Sequence, residues 1–433
     1  MDMLMIIGFL LIVGIVYLLI SGRANPIVVF TLLPLVAAGL VGTSLVDLSG
    51  FVKDGVASMV TTASLFAFSI AFFGLMNDVG AFDIIVNPLL KIMGNNIFAI
   101  MAVTVTIAII GHLDGAGAST ALITIPPMLP IYKKMKIRPT TLLLLLASSV
   151  GAMNIMPWAG PTIRASTVIG ESANDIWLGI IPMQFISIAL TFGMAFVLSR
   201  VEKKRGAGMT DAEFLELKQN TGESKALVEV PKGILIFDVI LVFGTIAALV
   251  ADLLPANVIF MIAFSLALVI NVKDTKAQGK MIKRYGESAM PMIMTLFAVG
   301  VFLGVLQGTG MIESMAGGII KALPAVFGPF IHVIVGIFSV PLILFLGTDS
   351  YYFGVLPIVT EVAGNYGVSA MTVARTMLVT ENIGLMISPA IAVTYLACGL
   401  AGVELKDHIK ANFVWLWGIS LLLLVIMLAI GIA

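Results

Sequence analysis

Charge is what this sequence has least of. Only 11% of its 433 residues are Asp, Glu, Lys or Arg, against 60% hydrophobic, where a soluble domain carries about 25% charged residues. A water-soluble globular fold is excluded. Cysteine is almost missing: Cys398 stands alone, which rules out an intramolecular disulfide or a cysteine-built cluster. The three histidines, at 112, 332 and 408, are scattered, and no His-x-x-Glu-His or Glu-x-x-His pair offers a catalytic metal site. There is no Ser-Lys pair and no Gly-x-x-x-x-Gly-Lys-Ser/Thr loop, so neither a membrane-embedded hydrolase nor an ATP-driven pump is indicated. The basic residues sit in loops between apolar runs, so nucleic acid is not an expected partner.

What the chain does have is apolar length. Runs such as Met3–Ile20, Met59–Met76, Ile180–Leu198 and Phe413–Ile430 recur from end to end, each long enough to cross a hydrocarbon core of about 30 Å as a helix. The expected fold is an all-α integral membrane protein. No Lys or Arg precedes the first run, which therefore reads as a permanent span rather than a cleaved signal.

The one long polar stretch, residues 200–233, divides the chain and reads as a linker, partly helical at Asp211–Lys218. Across it the sequence repeats. "FFGLMNDVGAFDIIVNPLLK" (72–91) matches "FLGVLQGTGMIESMAGGIIK" (302–321), with Gly74, Gly80, Asp83 and Lys91 falling on Gly304, Gly310, Glu313 and Lys321. "LPIYKKM" (129–135) matches "LPIVTEV" (356–362), and Asn154 and Pro161 match Asn382 and Pro389, at offsets of 230, 227 and 228. A near-constant offset marks a duplication. The first repeat is expected over residues 1–199, the cytoplasmic linker over 200–232 and the second repeat over 233–433.

Each repeat reads as five crossings plus one shorter hairpin, about ten spans in all. The expected spans are 3–20, 25–42, 59–78, 139–168 (broken) and 177–199, then 233–252, 256–271, 289–308, 370–400 (broken) and 411–432. An odd number of crossings per repeat inverts the second against the first, the plan of many secondary transporters. With both termini outside, 20 of the 24 Lys and Arg residues fall on the cytoplasmic side; Lys53 and Lys321 lie outside, Arg164 and Arg375 within spans. The hairpins are expected at 97–132, with the tip "GHLDGAGAST" entering from the cytoplasm, and at 326–366, with the tip "GTDSYYFG" entering from outside.

Irregular backbone at membrane depth survives only where protein buries it or water reaches it, which singles out the two tips and the two broken helices. Asp114 and Asp349 occupy the tips. An intramembrane carboxylate marks an ion or proton site, unless it merely caps the following arm. Arg164 heads the second half of the first broken helix, where a guanidinium can grip a carboxylate bidentately; a salt bridge or snorkelling is the alternative. Glu381, just before the second break, is a further coupling candidate, and Arg375 lies six residues earlier. Asn154 and Asn382 recur at the same place in both repeats and can coordinate a cation or donate to an anion. Trp158 can close over substrate or pack in the core. Ser119, Thr120, Gly160, Thr162, Ser350, Tyr351, Tyr352 and Ser388 surround the tips and breaks as substrate-binding candidates. His112 reads as a structural hydrogen bonder or a proton relay, and Asp83 and Glu313 as interfacial helix starts.

Six segments carry a resemblance: "GLMNDVGAFD" (74–83), "LDGAGASTALIT" (113–124), "PMLPIYKKMKIRP" (127–139), "MNIMPWAGPTIRAS" (153–166), "GTDSYYFGVLP" (347–357) and "NIGLMISP" (382–389). In these the chain resembles the citrate–metal:proton symporter family (CitMHS) of the ion transporter superfamily. The resemblance implies uptake of citrate or a related carboxylate, chelated with a divalent cation such as Mg²⁺ or Ca²⁺ and driven by protons, by alternating access. It also implies a plasma-membrane homodimer with a fixed scaffold and a moving transport domain. Asp114 and Asn154 are the candidate metal contacts, directly or through the chelate. Ala116 stands where relatives often carry a second acidic residue. Sodium coupling and a cation/proton antiporter on the same fold are the alternative readings.

Overall fold

The computed structural model describes residues 3–21, 23–82, 84, 88, 94–209, 230–322 and 324–433. Asp83, Lys91 and the linker segment Asp211–Lys218 lie outside them. Among the described residues the chain is all helix and turn. Up to residue 209 the chain supplies α1 (Met3–Ile20), α2 (Pro26–Leu40), α3 (Leu45–Ser58), α4 (Val60–Asp78), α5 (Ile97–Gly111), α6 (Gly117–Lys134), α7 (Pro139–Met153), α8 (Gly160–Ile169), α9 (Ala173–Leu178) and α10 (Ile181–Lys204). From residue 230 on it supplies α11 (Lys232–Val250), α12 (Ala256–Asn271), α13 (Thr275–Gly308), α14 (Met311–Ala322), α15 (Ile331–Asp349), α16 (Leu356–Gly364), α17 (Ala370–Glu381), α18 (Ala392–Ala401) and α19 (Leu405–Ala429).

Local chemistry sets many of these ends. Asn25 Oδ1 accepts from Ile27 N at 2.9 Å before Pro26, and Ser44 Oγ accepts from Asp47 N at 3.1 Å, each satisfying an amide that the first turn cannot. Asn96 Oδ1 does the same for Phe98 and Ala99 at the head of α5.

Among the described residues seven helical runs are long and apolar enough to cross a membrane, or eight if 370–387 and 392–401, bent by 44°, form one span. Of the spans read from the sequence, 25–42 and 256–271 correspond to α2 and α12, of 15 and 16 residues, about 23–24 Å at 1.5 Å per residue. The broken span 139–168 is α7 and α8 on either side of the break. The span expected at 59–78 begins earlier: α3 and α4 form one run, Leu45–Asp78, interrupted at Met59, and its repeat mate α13 is a single 34-residue helix. By length alone the first arms of both expected hairpins, Ile97–Asp114 and the start of Val326–Gly364, also qualify as spans.

These two long runs pack closely through glycines. A Cβ on Gly304 would stand 2.2 Å from the Phe51 carbonyl oxygen, and one on Gly55 would stand 2.1 Å from that of Gly300. One on Gly74 would stand 2.9 Å from the Tyr285 ring. Adding 230 carries Gly55 to Tyr285 and Gly74 to Gly304. The contact 55–304 therefore has its mate at 74–285, the exchange that two-fold related elements show. The two ends differ, however. Asp78 accepts from Tyr285 Oη at 2.8 Å and pairs with Arg284 at 3.0 Å, closing one end of the crossing. The glycine-lined end borders a cavity.

Candidate functional site

The second two-fold signature lies at the breaks. Helix α7 stops at Met153 and α8 starts at Gly160–Pro161; α17 stops at Glu381, is followed by a tight turn to Ile387, and α18 starts at Ala392. Asn154 Nδ2 donates to Asn382 Oδ1 at 2.9 Å. A residue that bonds its own repeat mate sits on the pseudo-two-fold axis. Gly151 permits the approach, since a Cβ there would stand 2.6 Å from the Asn382 carbonyl oxygen.

From this pair a buried polar chain runs both ways. Asn154 Oδ1 lies 3.3 Å from His112 Nε2, whose Nδ1 lies 2.8 Å from Thr120 Oγ1. In the other direction Asn382 Nδ2 donates to the Leu378 carbonyl at 2.8 Å and reaches Tyr352 Oη at 3.5 Å; Tyr352 Oη donates to Glu381 Oε2 at 2.7 Å. Thr120, His112, Asn382, Tyr352 and Glu381 are all buried. Glu381 Oε1 and the hydroxyls of Thr162 and Ser350 are buried without a hydrogen-bond partner among the described residues. Native interiors rarely leave such atoms unpaired, so three candidates from both repeats retain free bonding capacity.

The tips flank this centre. The short turn His112–Asp114 passes through Gly115 at φ 70° into α6, and Trp158 Nε1 donates to the Leu113 carbonyl at 2.9 Å. Trp158 also stacks among Phe73, Phe260 and Trp177, so it both packs the core and fastens break to tip. Asp114 accepts from Ala116 N at 2.8 Å and from Ser119 Oγ, and so is held within the turn that leads into α6. Asp114 and Asn154, the candidate metal contacts, thus face different partners. Among the described residues no three His, Cys, Asp or Glu side chains gather into a metal site.

At the second tip Gly347 (φ 68°, ψ 168°) breaks α15 just before Asp349, and a wide turn over Ser350–Val355 leads into α16. Asp349 Oδ1 accepts from Arg164 Nε at 2.7 Å, a bond between the two repeats. Arg164 also interacts electrostatically with Glu381. Its Nη1 rests against Gly160, where a Cβ would stand 2.8 Å away. Tyr351 and Ser388 are used elsewhere: Tyr351 Oη lies 2.7 Å from Ser339, and Ser388 Oγ donates to the Ile343 carbonyl at 2.7 Å. Arg375 binds the carbonyls of Asp175 and Ile176 and serves the packing of α9.

A cavity of about 760 Å³ opens beside α8, bounded by 55–65, 166–175, 252–257 and 303–307, within the range of small-molecule sites. Its wall holds Glu171, Asp175 and Asp252 with several hydroxyls, and no Lys or Arg. Ser166 and Thr167, on this wall, follow Arg164 by less than one turn of α8.

The model of the citrate transporter family CitMHS matches residues 15–380. The chain belongs to this family. The "Citrate transporter" of Bacillus subtilis (strain 168) is 32% identical over 437 residues, covering 99% of each chain. The "Mg(2+)/citrate complex secondary transporter" of the same organism is 32% identical over 436 residues, covering 99% of this chain and 98% of that one. The crystal structure of the Alcanivorax borkumensis YdaH transporter has the related fold, with a TM-score of 0.52 at 14% identity over 90% of this chain and 88% of that one. CitMHS members are transporters, not enzymes, and this one is a multi-pass membrane protein. Two residues of its centre, His112 and Tyr352, were visible in the sequence only as neighbours of the tips. Asp78, Arg284 and Tyr285 had no local signal, because their meeting depends on helices 207 positions apart.

Proposed function

We propose that this CitMHS member imports citrate or a related carboxylate across the plasma membrane as a divalent-metal complex, by alternating access and with proton coupling. The observation that carries the reading is the Asn154–Asn382 bond between the two breaks, with Tyr352 and the unpartnered Glu381 Oε1 beside it. A centre on the symmetry axis of two repeats can be reached from either face by equivalent motions. Arg164 and the start of α8 suit a carboxylate. The acidic, hydroxyl-rich wall of the cavity suits a cargo whose charge a metal has lowered; a bare citrate trianion would be repelled there. Mg²⁺ or Ca²⁺ is then cargo, bound through the chelate.

Loop charges assign the cavity to the outside, with both termini outside and the Asp78–Tyr285–Arg284 contact closing the inner end. In this reading the hairpins 97–132 and 326–366 and the breaks move against a scaffold of the early helices of each repeat, within a homodimer. The repeats comprise 1–199 and 233–433. Sodium coupling, or cation/proton antiport on the same fold, is the alternative, since free carbonyls and hydroxyls at the tips also suit Na⁺. Uptake of radiolabelled citrate into proteoliposomes under imposed proton or sodium gradients, with and without Mg²⁺ or Ca²⁺, decides between them. Absence of citrate uptake under every gradient overturns the assignment.

A further inference from the structure

We propose that Asp349 is an internal stand-in for the substrate carboxylate: it holds Arg164, and loading requires its release together with uptake of one monovalent cation. The inference rests on the carboxylate-transporter reading above and concerns how that site is coupled.

Arg164 is the sole Lys or Arg of the broken helices that lies at the centre; Arg375 is held on α9. Of the five N–H donors of a guanidinium, Nε bonds Asp349 Oδ1 at 2.7 Å and Nη2 has only the Met292 sulfur at 3.6 Å. Nη1 lies over Gly160, whose missing side chain leaves it room. The contact to Asp349 is therefore single-pronged among the described residues, and a carboxylate gripped bidentately through Nε and Nη2 would take its place. The Arg164 side chain is 10% exposed and that of Asp349 24% exposed, so the acid is the more accessible partner and the one that can leave.

Charge arithmetic then forces coupling. Arg164 is bonded to Asp349, and Glu381, the other buried carboxylate of this centre, already has an oxygen without a partner among the described residues. A substrate carboxylate that takes Nε and Nη2 side-on displaces Asp349 and leaves it an uncompensated intramembrane anion, a costly state. Taking a proton or Na⁺ onto the freed carboxylate removes that cost. No bond other than this association changes, and the cation leaves with the substrate when Asp349 returns to Arg164. By linkage, the cation must tighten substrate binding by the same factor that substrate tightens cation binding.

The test compares wild type with Asp349→Asn, Asp349→Glu and Arg164→Ala in proteoliposomes, using citrate with Mg²⁺. Citrate/citrate exchange is read without gradients, and the coupled-ion count from reversal potentials in a proton arm and a sodium arm. Asp349→Asn should lose one coupled cation per citrate, in whichever arm wild type shows coupling. Asp349→Glu should keep the wild-type count, and Arg164→Ala should lose exchange. An unchanged ion count in Asp349→Asn overturns the proposal, as does exchange surviving in Arg164→Ala. If Asp349→Asn does not reach the membrane, citrate binding to detergent-solubilised wild type must itself take up a proton or Na⁺; binding with no uptake overturns it. Wild type that neither binds nor exchanges citrate instead brings down the functional reading, and this inference with it.

Discussion

Asn154 and Asn382 show how much one residue type contributes when it recurs at an axis. Each amide both donates and accepts, so the pair joins the two repeats while leaving His112 and Tyr352 engaged on either side. Asn154→Ala strands Asn382 Oδ1 and a His112 nitrogen in a buried setting. The expected loss is about 1–3 kcal/mol, read as a lower unfolding midpoint in detergent. Asn154→Ala and Asn382→Ala together should cost less than the sum of the single changes, because they share one bond. Gly160→Ala acts on a different link. Its methyl would meet Arg164 Nη1 at 2.8 Å and swing the guanidinium away. We expect the KM for citrate to rise roughly tenfold, about 1.4 kcal/mol, with expression and folding preserved.

At the scale of elements, the crossing of α3 and α13 is set by what glycine omits. Gly300, Gly304 and Gly308 form one stripe four residues apart, and Gly55 faces it, so the helix backbones touch. Gly304→Leu must separate them, because the obstacle is the Phe51 carbonyl rather than a movable side chain. A destabilisation of about 1–3 kcal/mol or more is expected, whereas Gly317→Ala, with nothing within 4 Å, should stay within about 0.5 kcal/mol. Thermal unfolding of the purified variants measures both. The breaks in α7–α8 and α17–α18 were legible beforehand, because Pro161 and Pro389 recur with their asparagines at one offset. The early start of the third span was not. Asp47, Lys53 and Asp54 make Leu45–Ser58 look polar in the sequence, and only packing against α13 reveals it as the beginning of that run.

The whole molecule is asymmetric about its own pseudo-axis. One end of the crossing carries Gly55 and Gly308 and opens into the cavity; at the other end the same positions carry Tyr285 and Asp78 and are closed. A state open to one face only is what alternating access requires. With Cys398 replaced by serine, Ser58→Cys and Gln307→Cys should react with a membrane-impermeant maleimide in intact cells. Lys276→Cys should react only after permeabilisation. Labelling in the opposite pattern reverses the orientation read from loop charges.

Sequence alone determined the membrane class and the place of the four irregular segments, and it pointed to a duplication. These follow from apolar length, a constant offset, and prolines or glycines that a helix in lipid cannot ignore. It also picked out Asn154, Arg164, Asp349 and Glu381, since polar groups at such depth are costly without a use. Their partners were decided only by the tertiary structure. Arg164 could have met Asp114 or Glu171 along the chain; it meets Asp349, 185 residues away. Asp114, which looked equivalent, turns to Ser119 and its own helix end. A hydrogen bond or ion pair depends on distances of a few ångströms, and these are set by how whole helices cross rather than by any local pattern.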